Sequence, residues 1–186
     1  MPAEEITRDA HERMEKAVAA TRREMGAIRT GKASVSLLDS VRVSYYGNMV
    51  PLNQTASVSV PEPRLLLVQP WEKTMAGEIA KAIQHAELGL NPVPDGNLIR
   101  VPIPALNEER RREMVKLAKK QAEEGRIAIR NIRRDANDHL KKAEKEKELS
   151  SDDYHRRHDD IQKLTDGFIR DIDKIVEAKE VEVMEV

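Results

Sequence analysis

The sequence predicts an α+β fold: an elongated antiparallel three-helix bundle with a small β/α/β sandwich inserted into it. Three observations predict this. Eight of the nine Pro lie between Pro51 and Pro104, and five of the eight Gly fall in residues 31–104, so the middle of the chain is turn-rich. No Pro follows Pro104, and both flanks of the middle segment carry apolar residues three and four apart, the helical period. Aromatics make up only 3% of the chain and charged residues 35%, which suits narrow seams between amphipathic helices better than one large core. The bundle is therefore assigned to residues 1–30 and 105–186, and the insert to 31–104.

The first helix is expected from Ala3 to Arg29, on the spacing of Ile6, Ala10, Met14, Ala17, Thr21, Met25 and Ile28, with Gly31 as its stop. In the insert, Val41, Val43 and Tyr45 alternate with Arg42, Ser44 and Tyr46, as in a half-buried strand, and Gly47-Asn48 turns the chain. Ala56 to Val60 alternates again and Pro61-Glu62-Pro63 closes it. Arg64 to Gln69 is a more apolar strand. Thr74 to Leu88 reads as a helix through Met75, Ile79, Ala82 and Ile83, with Gly89 as C-cap, and Ile99 and Val101 open a last strand closed by Pro102-Ile103-Pro104. Asn107 then caps the second long helix, followed by Glu108 and Glu109 in the first turn, where acids complement the helix dipole. Its seam is Val115, Ala118, Ala122, Gly125, Ile129, Ile132, Ala136, Leu140 and Ala143, continuing to about Glu148. Ser150 or Ser151 caps the third helix, whose stripe is Ile161, Thr165, Phe168, Ile172 and Ile175.

Several function classes are excluded or disfavoured. There is no Cys, so thiolate metal sites, Cys nucleophiles and disulfides are out. Leu65 to Val68 is the longest aliphatic run, far short of a membrane span. The N-terminal Met-Pro-Ala-Glu-Glu has no apolar stretch like a signal peptide, and a cytoplasmic protein is expected. Neither a phosphate-binding loop nor a dinucleotide fingerprint is present, and no nucleophile–base–orienter set can be assembled, so the chain is not read as an enzyme. His155 and His158, followed by Asp159, have a spacing that could share a metal, but they sit in a charged run without a third ligand and read as a solvated face. No metal or cofactor is expected.

The net charge of -1 hides an asymmetry. Residues 1–30 and 31–104 are each balanced, whereas residues 105–148 carry 14 Lys+Arg against 10 Asp+Glu, and residues 149–186 carry 6 against 11. The excess positive charge therefore lies on one helix, where local field counts for more than net charge. Arg112, Lys116, Lys119, Arg126, Arg130 and Arg133 recur three, four or seven apart, one position past the apolar seam, and Arg110, Arg111 and Arg134 thicken the stripe. Arg offers a planar donor fork to phosphate oxygens, and a rigid rod of such residues fits the backbone of a folded nucleic acid. No aromatic interrupts the stripe, so stacking on unpaired bases is not the expected mode. Pattern alone leaves a second reading open, in which these arginines pair with Glu123, Asp135 or the acidic third helix; the Arg density near Ile127 to Arg134 favours the first.

Two crossings join insert and bundle: Thr30-Gly31-Lys32 and Pro104-Ala105. Glycine widens the backbone freedom of the first and proline keeps the second non-helical, an arrangement suited to a hinge.

Several motifs then carry a resemblance. Ile28-Arg29-Thr30-Gly31-Lys32-Ala33-Ser34, Tyr45-Tyr46-Gly47, Leu88-Gly89-Leu90-Asn91-Pro92, Ile99-Arg100-Val101-Pro102, Glu108-Glu109-Arg110-Arg111, Arg130-Asn131-Ile132-Arg133-Arg134-Asp135 and Gln162-Lys163-Leu164-Thr165-Asp166 resemble the bacterial ribosome recycling factor family, in order and over essentially the whole chain. The resemblance implies an L-shaped two-domain protein that acts on the post-termination ribosome as a monomer. It implies binding to large-subunit rRNA and work with elongation factor G, whose GTP hydrolysis drives subunit separation and release of mRNA and tRNA; the factor itself would need no cofactor. Family arginines that touch the RNA fall on Arg29, Arg130 and Arg133. Lys32 departs from the family's usual Arg, keeping the charge without the bidentate fork. Two readings outside this family, a coiled-coil adaptor binding through the acidic third helix and a general RNA-binding protein, predict respectively no salt-sensitive ribosome binding and no preference for ribosomes.

Overall fold

The structure, a computed structural model, describes Pro2–Glu185. Met1 and Val186, the outer ends of the expected bundle domain, lie outside the described residues. The helices are α1 (Ala3–Gly26), α2 (Ala76–His85), α3 (Glu108–Lys145) and α4 (Ser151–Met184). The strands are β1 (Arg42–Tyr45), β2 (Asn48–Pro51), β3 (Ala56–Glu62), β4 (Leu65–Pro70), β5 (Val93–Asp95) and β6 (Leu98–Pro102). The fold is α+β, and the chain divides into a helical unit, which runs to Ile28 and resumes at Glu113, and a sheet unit, Arg29–Arg112.

In the helical unit, α1, α3 and α4 bury one seam each against the others. Met14, Met25, Ile129, Leu140, Ile161 and Ile172 form the largest fully enclosed side chains. The α3 seam is mostly small, with Ala118, Ala122, Gly125, Ala136 and Ala143 buried, so its neighbours approach closely. Gly125 marks the tightest point: a Cβ there would stand 2.3 Å from Thr21 Oγ1 and 3.0 Å from Ile172 Cδ1. The buried hydroxyls are satisfied within their own helices, Thr21 donating to the Ala17 carbonyl at 3.0 Å and Thr165 to the Ile161 carbonyl at 2.8 Å. Cross-helix pairs set the directions. Arg13 meets Asp135 while Thr21 lies at Gly125, and Arg126 meets Asp173 while Lys119 meets Glu180, so α3 runs antiparallel to both α1 and α4. Glu4 meets Arg157 and His11 stacks on Phe168, so α1 and α4 run parallel.

The caps explain the helix ends. The Asn107 side-chain carbonyl accepts from Arg110 N at 2.8 Å and Ser150 Oγ accepts from Asp153 N at 3.1 Å, the N-cap arrangement. α1 ends at Gly26, not at Arg29: glycine is a poor helix former, and the N–H of Ala27 already turns back to the Glu24 and Met25 carbonyls. α3 ends at Lys145, short of Glu148, because Lys147 takes a left-handed backbone (φ 61°) and its N–H bonds to Glu144 O, while Glu148 N–H bonds to Ala143 O. That pair of bonds is a Schellman stop, with lysine where glycine is usual. On α1 the buried residue is Val18, and the expected Ala17 is half-buried.

The sheet unit holds a two-stranded hairpin, β1-β2, and a four-stranded antiparallel sheet in the order β3-β4-β6-β5. Leu66, Val68, Ile99 and Val101 on the sheet, Val43 on β1, and Ile79 and Ile83 on α2 form its core. The alternation of Val41, Val43 and Tyr45 against exposed Arg42, Ser44 and Tyr46 holds. β2 and β5 were not expected. Asn48–Pro51 exposes Asn48 and Met49 and half-buries Val50 and Pro51, and Val93–Asp95 is exposed throughout, so neither carries a strong alternation. β3 does not stop at Val60. It continues through Pro61 to Glu62 with a register shift between Ser59 and Glu62, which an edge strand tolerates. α2 is shorter than Thr74–Leu88. Lys73–Met75 is a 3-10 turn, and the helix ends at His85, so Gly89 is not its C-cap; Glu87 already has a left-handed backbone (φ 55°).

The β3-β4 turn ties down both ends of the sheet unit. Ala33 N–H donates to the Pro63 carbonyl at 2.7 Å, and Ile103 N–H donates to the Arg64 carbonyl at 2.9 Å. Gly31 (φ +79°) lies where a Cβ would be 3.3 Å from Leu106, so the two crossings touch. Thr30 beside it is buried, and Lys32 N–H reaches its hydroxyl at 3.4 Å.

Candidate nucleic-acid interface

On an ideal helix, Arg112, Lys116, Lys119, Arg126, Arg130 and Arg133 fall within an arc of roughly 100° along α3. They flank the buried seam on the side that faces α4. Arg110 does not share this arc: it lies roughly 200° around the helix from Arg130, because twenty residues do not make a whole number of turns. It belongs instead to the capped first turn, its N–H held by Asn107.

The structure sorts the remaining cations by partner. Arg126 is the most enclosed, with its side chain 21% exposed. Its Nη2 and Nε reach Asp173 Oδ1 on α4 at 2.7 and 2.9 Å, and its Nη1 reaches Glu123 Oε2 at 3.2 Å. Arg130, 38% exposed, donates from Nη1 to the other Glu123 oxygen at 3.1 Å. Glu123 thus bridges two guanidinium groups, and hydrogen bonds first from Arg130 and then from Arg126 hold its carboxyl below the usual range. Arg112 pairs with Glu108 at 2.7 Å one turn earlier, and Lys119 reaches Glu180 on α4 at 4.0 Å. Lys116 and Arg133 make no ion pair with any described residue. Arg29, half-buried in the sheet unit, lies with its guanidinium 3.4 Å from where a Gly89 Cβ would be.

Arg126 does what a helix-to-helix ion pair does, joining α3 to α4. Arg130 and Arg133, each partly exposed, flank the buried Ile129 and Ile132. Asp173 and Glu180 could not be found from spacing on α3, since they come from α4; Glu123 could, at three and seven residues from its two arginines.

Elsewhere, the sheet unit holds a second bridged carboxylate that sequence reasoning missed. Tyr45 and Tyr46 donate to the two oxygens of Glu72 at 2.7 and 2.9 Å, and their rings meet edge to face at 4.5 Å. Tyr46 is 74% exposed on a left-handed backbone (φ 47°), which the next residue, Gly47, continues. His155 and His158 lie against Tyr154, and among the described residues no group of three or more His, Asp and Glu could hold a metal. No described helix is long and apolar enough to cross a membrane.

Comparisons with known proteins converge on one family. A family model described as "Ribosome recycling factor" matches residues 21–184. The ribosome-recycling factor of Nitratidesulfovibrio vulgaris (strain DP4) is 52% identical over 186 residues, covering 100% of both chains. That of Bacillus subtilis (strain 168) is 52% identical over 184 residues, 99% of this chain and 100% of the relative. Among solved structures, a solution structure of the ribosome recycling factor is similar with a TM-score of 0.83 and 42% identity, covering 99% of this chain and 98% of the other. A set of models for the T. thermophilus ribosome recycling factor and the E. coli elongation factor G bound to the E. coli post-termination complex contains a chain that matches with a TM-score of 0.71 and 44% identity over the full length of both.

Proposed function

This chain belongs to the ribosome recycling factor family, and from that premise we propose that it is a translation factor that disassembles the post-termination ribosomal complex. It binds large-subunit rRNA through the cationic face of α3. It acts there with elongation factor G, whose GTP use drives subunit separation and release of mRNA and tRNA. The factor catalyses no reaction itself, uses no cofactor of its own and works as a monomer in the cytoplasm. The association of a 44% identical relative with elongation factor G on a post-termination complex supports the partner assignment.

The observation that carries the RNA contact is the pair Arg130 and Arg133, which stand one turn apart on a rigid helix beside the buried Ile129 and Ile132. Packing fixes the backbone under both, so their donors meet phosphate with little ordering cost. Lys116 and Lys119 extend the same face, and Arg112 shares the arc after giving up Glu108. Arg29 is a separate RNA contact, on the sheet unit. Arg126 serves as the anchor that fixes α3 against α4, and Arg110, whose main-chain N–H is taken by the Asn107 cap, lies on another side of α3.

The bundle and insert domains, 1–30 with 105–186 and 31–104, are joined by a hinge at Thr30, Gly31, Lys32, Pro104 and Ala105. Two backbone features support this. The last sheet-unit hydrogen bonds before the crossings are those of Ala33 and Ile103 to the β3-β4 turn, and Gly31 has a backbone that only glycine adopts without strain. Residues 31–104 carry 6 basic and 6 acidic residues, so the insert can move while few phosphate contacts depend on it. The test is subunit splitting followed by light scattering, with and without elongation factor G and GTP. Splitting that requires both is the expected result; no splitting under any condition would refute the function.

A further inference from the structure

Asp173, Arg126, Glu123 and Arg130 form a chain of alternating anions and cations, two of each. Its formal charge is zero, in the middle of a face whose task under the proposed function is to attract phosphate. The network is asymmetric. Arg126 is enclosed and held from both sides, by Asp173 at 2.7 Å and by Glu123 at 3.2 Å. Arg130 has only Glu123, at 3.1 Å through Nη1. Both members of that last pair are reachable from solvent, Glu123 at 51% and Arg130 at 38% exposure. One turn on, Arg133 has no acid partner among the described residues.

We propose that Glu123 is a built-in competitor of RNA phosphate for Arg130, and that binding proceeds by exchange of partners on this network. A phosphate reaching the guanidinium of Arg130 meets a carboxylate already on it, and two anions on one fork repel. Glu123 has a second partner to fall back on, since its other oxygen is already on Arg126. Arg130 can therefore pass to the phosphate while Glu123 keeps one ion pair, and Arg126 stays with Asp173. On release the carboxylate returns to Arg130 and displaces the phosphate. Such a competitor lowers affinity and speeds departure, which suits a factor that must leave the ribosome after each round. It also acts on one of two neighbouring arginines only, so Arg133 provides the unopposed comparison.

The inference rests on the RNA-binding reading of α3, and the experiment separates the two. Binding to purified ribosomal large subunits is measured over a range of salt for the full-length wild type and for Glu123→Gln, Glu123→Ala, Arg130→Ala and Arg133→Ala. Removing the carboxylate should tighten binding about threefold to tenfold at low salt in both Glu123 variants, through slower dissociation. Their log–log salt dependence should stay close to the wild-type slope, because Arg130 meets a phosphate with or without its competitor. A purely structural role for Glu123 would not raise the affinity in either variant. Equal or weaker binding by both Glu123 variants, with Arg133→Ala still weakened, would overturn the competitor role and leave the RNA contact standing. Wild-type binding by Arg130→Ala and Arg133→Ala would instead remove the RNA-binding reading and this inference with it. Glutamine is isosteric with glutamate at a half-exposed position, and thermal melting of both Glu123 variants establishes that each is folded.

Discussion

Each unit of this protein contains one carboxylate bridging two side chains, and the two bridges differ in what they join. In the helical unit, Glu123 lies between the cations Arg126 and Arg130; in the sheet unit, Glu72 lies between the neutral phenols of Tyr45 and Tyr46. The acceptor geometry is nearly the same, with donors at 2.7–3.2 Å on separate oxygens. The electrostatics are opposite. Glu123 neutralises positive charge that remains available to an external anion. Glu72 leaves a net negative charge at the β1-β2 turn, a poor place for phosphate, and fixes an aromatic hairpin tip. Under the proposed function, phosphate is met by α3 and not by the hairpin tip, although the whole chain is nearly neutral.

The difference in architecture can be broken most strongly through the cores. Ile129 is fully buried in the helical unit and Ile79 in the sheet unit. Ile129→Ala should destabilise the helical unit by about 2–5 kcal/mol, and Ile79→Ala the sheet unit by a similar amount. Amide exchange resolves them: Ile129→Ala should lower protection along α1, α3 and α4 and leave Leu66 to Val68 protected. Loss of protection throughout in both variants would show that the units unfold as one.

A smaller effect sharpens the difference in charge. Arg130→Ala and Arg133→Ala should each weaken large-subunit binding by about 1–3 kcal/mol while the melting temperature stays near that of the wild type. Glu72→Gln, in the sheet unit, should leave that binding within about twofold. Equal weakening by the sheet-unit variant would contradict the assignment of RNA affinity to α3.

Much of this was legible in sequence because it rests on short-range rules. The α3 seam from Ala118 to Ala143, the Asn107 and Ser150 caps and the Pro-rich insert follow from period and capping chemistry. The ends of α1 and α2 were not legible. Gly26 stopped α1 before the more obvious Gly31, and Glu87, a residue without turn preference, took the left-handed position expected of Gly89. β2 and β5 stayed hidden because exposed edge segments lack a buried face to set an alternation. Within the site, the arc of cations was legible from spacing, but its division into members paired to α4 and members that are not was not. Asp173 lies 47 residues from Arg126, and only the packing of α4 on α3 brings them together.

The smallest expected effects are in pH dependence. Glu72 and Glu123 both have folded-state carboxyls below their ordinary value, Glu72 through hydrogen bonds from Tyr45 and Tyr46, Glu123 through those from Arg130 and Arg126. Their contribution to stability is complete above the ordinary Glu value and is lost as pH falls through the depressed one. The phenols shift the other way: Glu72, as hydrogen-bond acceptor, raises both. Their contribution is complete below the ordinary Tyr value and is lost as pH rises through the raised one. Glu72→Gln should therefore flatten the melting profile of the sheet unit at both acid and alkaline extremes, whereas Glu123→Gln should flatten only the acid limb of the helical unit. An unchanged alkaline limb in Glu72→Gln would show that the phenols do not depend on it.

The proposed function divides the labour: α3 holds the ribosome and the insert moves. A disulfide between cysteines introduced across the Thr30–Lys32 and Pro104–Ala105 junction tests it directly, because the native chain has no Cys to interfere. Large-subunit binding and splitting with elongation factor G and GTP are measured on the oxidised and reduced forms of the same protein. The account predicts that oxidation leaves binding within about tenfold, or roughly 1.4 kcal/mol, and sharply reduces splitting, with recovery on reduction. Full splitting by the oxidised protein would contradict it.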